Sequence, residues 1–235
     1  MAALGIGSFG PIDRDSGRIT STPKLAWRGY ELAGVLGNAL QVPVRFDTDV
    51  NAAALAEARW GAGRGLTDLV YLTVGTGIGG GALANSRLLQ GTPHTEMGHV
   101  RVPHDWERDP FPGCCPYHGD CLEGLAAGPA LEARWGAAPE SLPPEHPAWR
   151  LEAHYLGLAV ANVACTLAPQ RILLGGGVMQ QAQLFDLIRA EVEALLNGYA
   201  PAPELLPPQL GARAGVLGAL ILAEEAITPP PGSNA

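Results

Sequence analysis

The chain has little charge, and what it has is not clustered by sign. Only 16% of its 235 residues are Asp, Glu, Lys or Arg, the net charge is −8, and no run of Lys and Arg occurs. A nucleic-acid binder needs a basic face, so that class is excluded, and an anionic substrate would need a local positive site rather than a general field. Cysteine is scarce as well, with four in the chain. Three of them, Cys114, Cys115 and Cys121, share one short segment, and the fourth, Cys165, lies in an apolar helical stretch and reads as core. That distribution excludes a disulfide scaffold and fits a reducing compartment, so a cytoplasmic protein is expected. Apolar runs of membrane-spanning length, a signal peptide and a usable internal repeat are all missing, so no membrane role is expected.

What is present is a 47% hydrophobic chain, enough for one large domain or two small ones with a real core. The pattern predicts a strand over residues 3–7, a helix over 29–41, a strand over 42–48 and an Ala-rich helix over 49–61. A strong strand follows at 68–74, then a glycine-rich turn and a return strand at 80–84. Helical spacing over 122–135 is interrupted at Gly128-Pro129, and 137–147 is a proline-rich loop. A long, weakly charged helix covers 150–168, a strand covers 171–174, and helices cover 184–197 and 214–226. Residues 201–208 are rich in proline, and the tail 228–235 is expected to be disordered. Strands alternate with helices, so the class is α/β.

The richest segment is 93–124. His99, Cys115, His118 and Cys121 offer imidazole and thiolate at short spacing, which suits a tetrahedral zinc site. Spacing alone leaves Cys114 open as the ligand in place of Cys115. Glu96 and Glu123 bracket the set, and a metal knot that fixes two carboxylates looks more like a polar-substrate pocket than a plain staple.

Two glycine loops follow predicted strands. In Gly75-Thr76-Gly77-Ile78-Gly79-Gly80-Gly81 the glycines let backbone N–H groups approach an anion, and Thr76 adds a hydroxyl. No Gly-Lys-Ser/Thr follows, so this is not a Walker loop, and a glycine-rich hairpin is the competing reading. Gly175-Gly176-Gly177 ends the strand at 171–174 ahead of a helix, a frequent nucleotide contact in open α/β sheets and equally a tight turn. Asp49 and Asn51 sit where a strand exits into a helix. A carboxylate there could take a proton from an attacking hydroxyl, worth roughly 10²–10⁴-fold in rate, while helix capping would explain Thr48 or Asp49 without chemistry.

In this order, Gly7 to Asp13, Thr48 to Ala54, Gly75 to Gly81, Glu96-Met97-Gly98-His99, Cys115 to Glu123 and Gly175 to Met179 resemble the bacterial ROK sugar kinases, and most of all the zinc-containing fructokinases. The likeness runs from Gly5 to about Ala226. It implies an actin-like ATPase (ribonuclease H-like) fold of two α/β domains. These would be a small N-terminal domain whose remainder is 1–66 and a large one at 67–227 carrying the zinc loop at about 93–123, with the last helix, 214–226, packing back toward the first. It implies ATP-dependent phosphorylation of a hexose, D-fructose above glucose, mannose or an N-acetyl hexosamine. By motif match Asp49 is the base, and Asn51, Glu96, His99 and Glu123 bind the sugar. Gly75, Thr76, Gly77, Pro129, Gly176 and Gly177 lie at the nucleotide. The zinc on His99, Cys115, His118 and Cys121 would be structural, magnesium would accompany ATP, and a homodimer is the family expectation.

Three departures stand out. The family's metal loop usually reads Cys-x-Cys-Gly-x-x-Gly-Cys, whereas here His118 stands between Cys115 and Cys121, as in the fructokinase branch. Thr48 replaces an Asn that touches sugar in relatives. The family's first phosphate loop, Asp-x-Gly-Gly-Thr, has no match in residues 1–66. The expectation drawn from this is a first domain missing its leading segment, and with it either a longer working kinase or an impaired, sugar-binding remnant.

Overall fold

In the computed structural model, which describes residues 1–228, the chain divides into two units. The first holds 1–66, 81–95 and the residues from 209 onward, and the second holds 67–80 and 96–208. The expected disordered tail falls, beyond residue 228, outside the described residues. No helix among the described residues is long and apolar enough to cross a membrane.

The first unit opens with β1 (Leu4–Ser8), a small hairpin of β2 (Ile12–Asp13) and β3 (Arg18–Ile19), and α1 (Leu32–Leu40). Next come β4 (Val44–Thr48) and α2 (Asp49–Trp60). β1 and β4 run parallel, with Leu4 opposite Val44 and Ser8 opposite Thr48. Ile12, Ile19 and Phe46 form a buried cluster flanked by Ile6, Phe9 and Leu32. The Ala run of α2, with Ala52, Ala53, Ala54 and Ala56 buried, offers little side-chain bulk. The last helix among the described residues, at 214–227, presses its backbone into that gap. A Cβ on Gly218 would collide with the Ala52 carbonyl, so this approach requires glycine. Glu57 on α2 is fully buried, and its carboxylate accepts the N–H groups of Ala62 (2.8 Å), Gln209 (3.1 Å) and Leu210 (2.8 Å). A sealed carboxylate persists only when such donors fill it.

The second unit is built on β5 (Leu69–Val74), from which the chain turns into β6 (Ile78–Ala84). The later half of β6 belongs to the first unit, where Leu83 and Ala84 pair with β7 (Arg87–Leu88). An irregular loop leads into α3 (Leu122–Ala126), α4 (Gly128–Trp135), α5 (Ala148–Leu167), β8 (Arg171–Gly175), α6 (Gln183–Leu196) and β9 (Glu204–Leu206). α7 (Ala214–Ile227) returns to the first unit. β8 lies between β5 and β9, parallel to both. Strands covered on both faces read as unbroken apolar runs, and Leu69-Val70-Tyr71-Leu72 and Ile172-Leu173-Leu174 do so. α6 buries Leu184, Ile188, Val192 and Leu196, one residue per turn and a fraction, as an amphipathic helix must.

The α/β reading holds, with three differences. β9 forms inside the proline-rich stretch, on the sheet's edge, where three residues between prolines suffice to pair. After Gly177 the chain makes a single 3₁₀ turn, Val178–Gln180, before α6 starts. Cys165 is exposed rather than core. The buried face of α5 runs through Gly157, Val160, Ala161 and Ala164, and Cys165 falls on the opposite side with Asn162 and Thr166.

Candidate active site

In the first unit the strand β4 delivers Asp47, Thr48 and Asp49 to the start of α2. Thr48 is the N-cap: its Oγ1 accepts the N–H of Asn51 at 3.1 Å. Capping is thereby assigned to Thr48, and Asp49 stands as the first helical residue with an exposed side chain. Its Oδ1 accepts its neighbour Val50's N–H at 2.8 Å, and helix N-terminal charge favours a carboxylate there. Asn51 is buried, and its Nδ2 donates to Asp47 Oδ1 at 2.8 Å. That contact occupies the amide that the resemblance places at the sugar.

The second unit carries the remaining expected site residues. Cys115 and Gly119 exchange backbone hydrogen bonds at 3.1 and 2.9 Å, closing a tight turn that swings His118 back toward Cys115. Cys121 is the residue before α3, and Leu122 N–H is held by the Val100 carbonyl next to His99. The four ligand atoms of His99, Cys115, His118 and Cys121 lie within 4.8 Å of one another. Nδ1 of His99 is 3.7 Å from Cys115 Sγ and 3.6 Å from Cys121 Sγ, and Nδ1 of His118 is 3.7 Å from Cys115 Sγ. Tetrahedral zinc with ordinary bond lengths requires sulfur–nitrogen edges of about 3.5 Å, so the set fits such an ion. Cys114 is exposed and outside the cluster. Burial pushes the Cys121 thiol up to about 11, so a metal must displace its proton on binding.

Glu123, the second residue of α3, faces both ways. Its Oε2 accepts the N–H of Ile78 at 2.9 Å, and its Oε1 lies 3.9 Å from Nε2 of His99. His99 thus turns one ring nitrogen to the thiols and the other toward a carboxylate that lies in ion-pair range but beyond hydrogen-bond reach. Glu96 is exposed, and its carbonyl accepts the N–H of His99 at 3.0 Å.

The glycine segments converge. Gly75 N–H donates to the Gly77 carbonyl at 2.9 Å, and the Gly75 carbonyl accepts Gly128 N–H at 2.7 Å. A Cβ on Gly75 would lie 3.9 Å from the Gly177 backbone nitrogen. Thr76, Pro129 and Gly177 are exposed around this junction, and Gly176 sits in the left-handed region at φ +95°. Gly75, Gly77, Pro129, Gly176 and Gly177 therefore bring three separate loops together, and the Glu123 carboxylate borders them at Gly77.

Sequence reasoning missed a buried polar hub. Asp109 accepts Arg134 Nε at 3.0 Å, Arg134 Nη2 at 3.1 Å and the Tyr155 hydroxyl at 2.6 Å. His104 bonds the Asp109 carbonyl at 2.9 Å and Asp120, beside Cys121, at 3.3 Å. The hub ties the metal loop to α4, whose first residue holds Gly75.

The profile of the ROK family matches residues 1–226. A fructokinase from Lactococcus lactis subsp. cremoris is 46% identical over 208 residues, 86% of this chain and 71% of that protein. The solved ROK hexokinase of Thermus thermophilus superposes with a TM-score of 0.83 at 32% identity, covering 97% of this chain and 80% of that one. A Streptomyces griseus ROK family glucokinase, solved with glucose and AMPPNP, superposes with a TM-score of 0.79 at 29% identity, over 96% of this chain and 82% of that one. These neighbours have the actin-like ATPase fold. A match over that span, with the metal cluster and glycine loops in place, makes this chain a member of the ROK family.

Proposed function

We propose that the chain is an ATP-dependent hexose kinase that converts D-fructose to fructose 6-phosphate, with Asp49 as the base. The observation that carries this reading is the double engagement of Glu123. One carboxylate borders the glycine loop expected to hold phosphate and, through His99, the metal knot expected to shape the sugar site. A phosphoryl donor site and a hydroxyl acceptor site sharing one side chain is what direct transfer needs.

In this mechanism the Asp49 carboxylate takes the proton of the sugar's C6 hydroxyl as O6 attacks the γ-phosphorus of ATP in line. The bond from that phosphorus to the β–γ bridging oxygen breaks, and ADP leaves with its electron pair. Glu96, His99 and Glu123 orient the sugar, with Asn51 behind Asp49. Backbone N–H groups at Thr76 and Gly77 steady the phosphates, Gly75 shapes the loop by closing its N–H on the Gly77 carbonyl, and Pro129, Gly176 and Gly177 lie on the nucleoside side. Magnesium, bound with ATP, would neutralise charge on the phosphate oxygens. Zinc, held by His99, Cys115, His118 and Cys121, would keep the loop in shape, and no step runs through it. A homodimer accompanies this reading, and sedimentation equilibrium checks it.

Asp49→Asn is expected to abolish fructose-dependent ADP formation while fructose binding, measured by calorimetry, stays within about threefold, since general-base catalysis contributes roughly 10²–10⁴-fold. Retained turnover would overturn the base assignment. The glucokinase likeness keeps glucose as the rival acceptor, and kcat/KM for fructose against glucose decides between them.

A further inference from the structure

We propose that Asp47 is a positioning residue for the transfer step and that Gln90 is its partner. Asp47 is fully buried at the end of β4. A carboxylate sealed from water is costly in a strand, where an apolar residue would complete the core more cheaply. Its oxygens are filled by a specific set of donors. Oδ1 accepts Thr48 N–H and Asn51 Nδ2, each at 2.8 Å. Those two residues flank Asp49, so a single oxygen fixes the turn that presents it. Oδ2 accepts Gln90 Nε2 at 2.8 Å, from 43 residues further along the chain.

Gln90 opens the segment Gln90–Thr95, which leads directly into Glu96. The same segment is held by Arg14 Nη2 on the Gly91 carbonyl at 2.5 Å and by His94 Nδ1 against the Ile12 carbonyl at 3.1 Å. Asp47 therefore ties the turn that bears the proposed base to the strap that runs to the proposed sugar-binding Glu96. The tie also orients Asn51. With Nδ2 committed to Asp47, Oδ1 is a buried acceptor without a hydrogen-bond partner among the described residues. Such orphans mark places where a water or ligand donor is missing from the count. The function of this tie is precision: a displacement of about 1 Å at a reacting group costs on the order of 10²-fold.

The inference rests on Asp49 being the base, and its test separates the two ideas. The full chain is made as Gln90→Met, Asp47→Val, Asp47→Asn and Asp49→Asn. Melting temperature, kcat, KM for ATP and calorimetric fructose affinity are measured on each. Gln90 is exposed, so Gln90→Met keeps the fold. It is expected to weaken fructose affinity about tenfold and leave the KM for ATP within twofold. Asp47→Val is expected to lower kcat about 100-fold. Asp47→Asn is the conservative rescue. Its carbonyl keeps Thr48 and Asn51, its amide donates to Gln90 turned over, and kcat stays within about threefold of wild type. Where Asp47→Val fails to fold, Gln90→Met and Asp47→Asn decide the matter. Wild-type fructose affinity and kcat in Gln90→Met would overturn the proposal, as would Asp47→Asn crippled while still folded. An active Asp49→Asn beside a weakened Gln90→Met would sink the base and leave the positioning role standing.

Discussion

Glu123 holds Ile78: the carboxylate at the head of α3 accepts the backbone N–H that ends the glycine loop, at 2.9 Å. The neighbouring Gly77 has no room for a side chain, because a Cβ there would come to 2.6 Å from the same oxygen. Gly77→Ala is therefore expected to displace either the loop or Glu123. KM for ATP should rise roughly tenfold or more, with the melting temperature little changed, since positioning dominates phosphoryl transfer. Steady-state kinetics at saturating sugar read this directly, and an unchanged KM for ATP would separate the loop from the nucleotide.

Zinc in the candidate cluster would leave a distinct signature on removal. Zinc is expected to bind at one ion per chain, and Cys115→Ser should abolish that stoichiometry while Cys114→Ser preserves it, because only Cys115 belongs to the ligand cluster. A ligand that binds only the folded state at a thousand times its Kd contributes about 4 kcal/mol. Chelation is accordingly expected to lower Tm by about 10 °C. Metal analysis and thermal melts of both variants check it.

Asp109 carries a larger share of stability than its loop position suggests. It neutralises the largely buried Arg134 through two hydrogen bonds and also takes the Tyr155 hydroxyl. Asp109→Ala leaves a buried guanidinium uncompensated, and breaking such a pair costs about 3–5 kcal/mol. Denaturant unfolding should show that loss, with a matching decline in soluble yield.

Glu152 works against the fold at neutral pH. It is fully enclosed on α5, and neither oxygen has a hydrogen-bond partner among the described residues. Burial raises its carboxyl pKa well above the usual 4.5, opposed only by the nearby Arg134 charge. A raised folded-state pKa means that the native chain binds this proton more tightly than the unfolded one. Stability from this group is therefore highest below the unfolded value and declines as pH rises toward the folded value. Glu152→Met is expected to raise Tm at pH 7.5 by ~2–4 °C for each kcal/mol recovered, with a smaller gain at pH 4. An identical gain at both pH values would show that the charge is not what costs.

What the sequence made legible was local. The candidate metal cluster could be read because Cys115, His118 and Cys121 lie within one turn-rich heptad, a spacing that suits such a site. α6 could be read because its four buried residues recur at helical period. Cys165 was misplaced because an apolar stretch says that a helix is buried without saying which face. β9 was hidden because a three-residue edge strand between prolines carries no period. The hub at Asp109 and the ties from Asp47 to Gln90 and from Glu123 to Ile78 were invisible for a different reason. They join residues tens of positions apart, and nothing in either partner's neighbourhood names the other.

The junction of Gly75, Gly128 and Gly177 has an evolutionary consequence. Its three glycines offer peptide groups, and the side chains exposed beside them are those of Thr76 and Pro129. The three positions are not equally constrained: a Cβ at Gly128 would press to 3.1 Å on the Gly75 carbonyl, one at Gly75 would make ordinary contact at 3.9 Å, and one at Gly177 would meet nothing within 4 Å. Sequence drift at this junction is therefore expected at Gly177 before Gly75, and at Gly75 before Gly128.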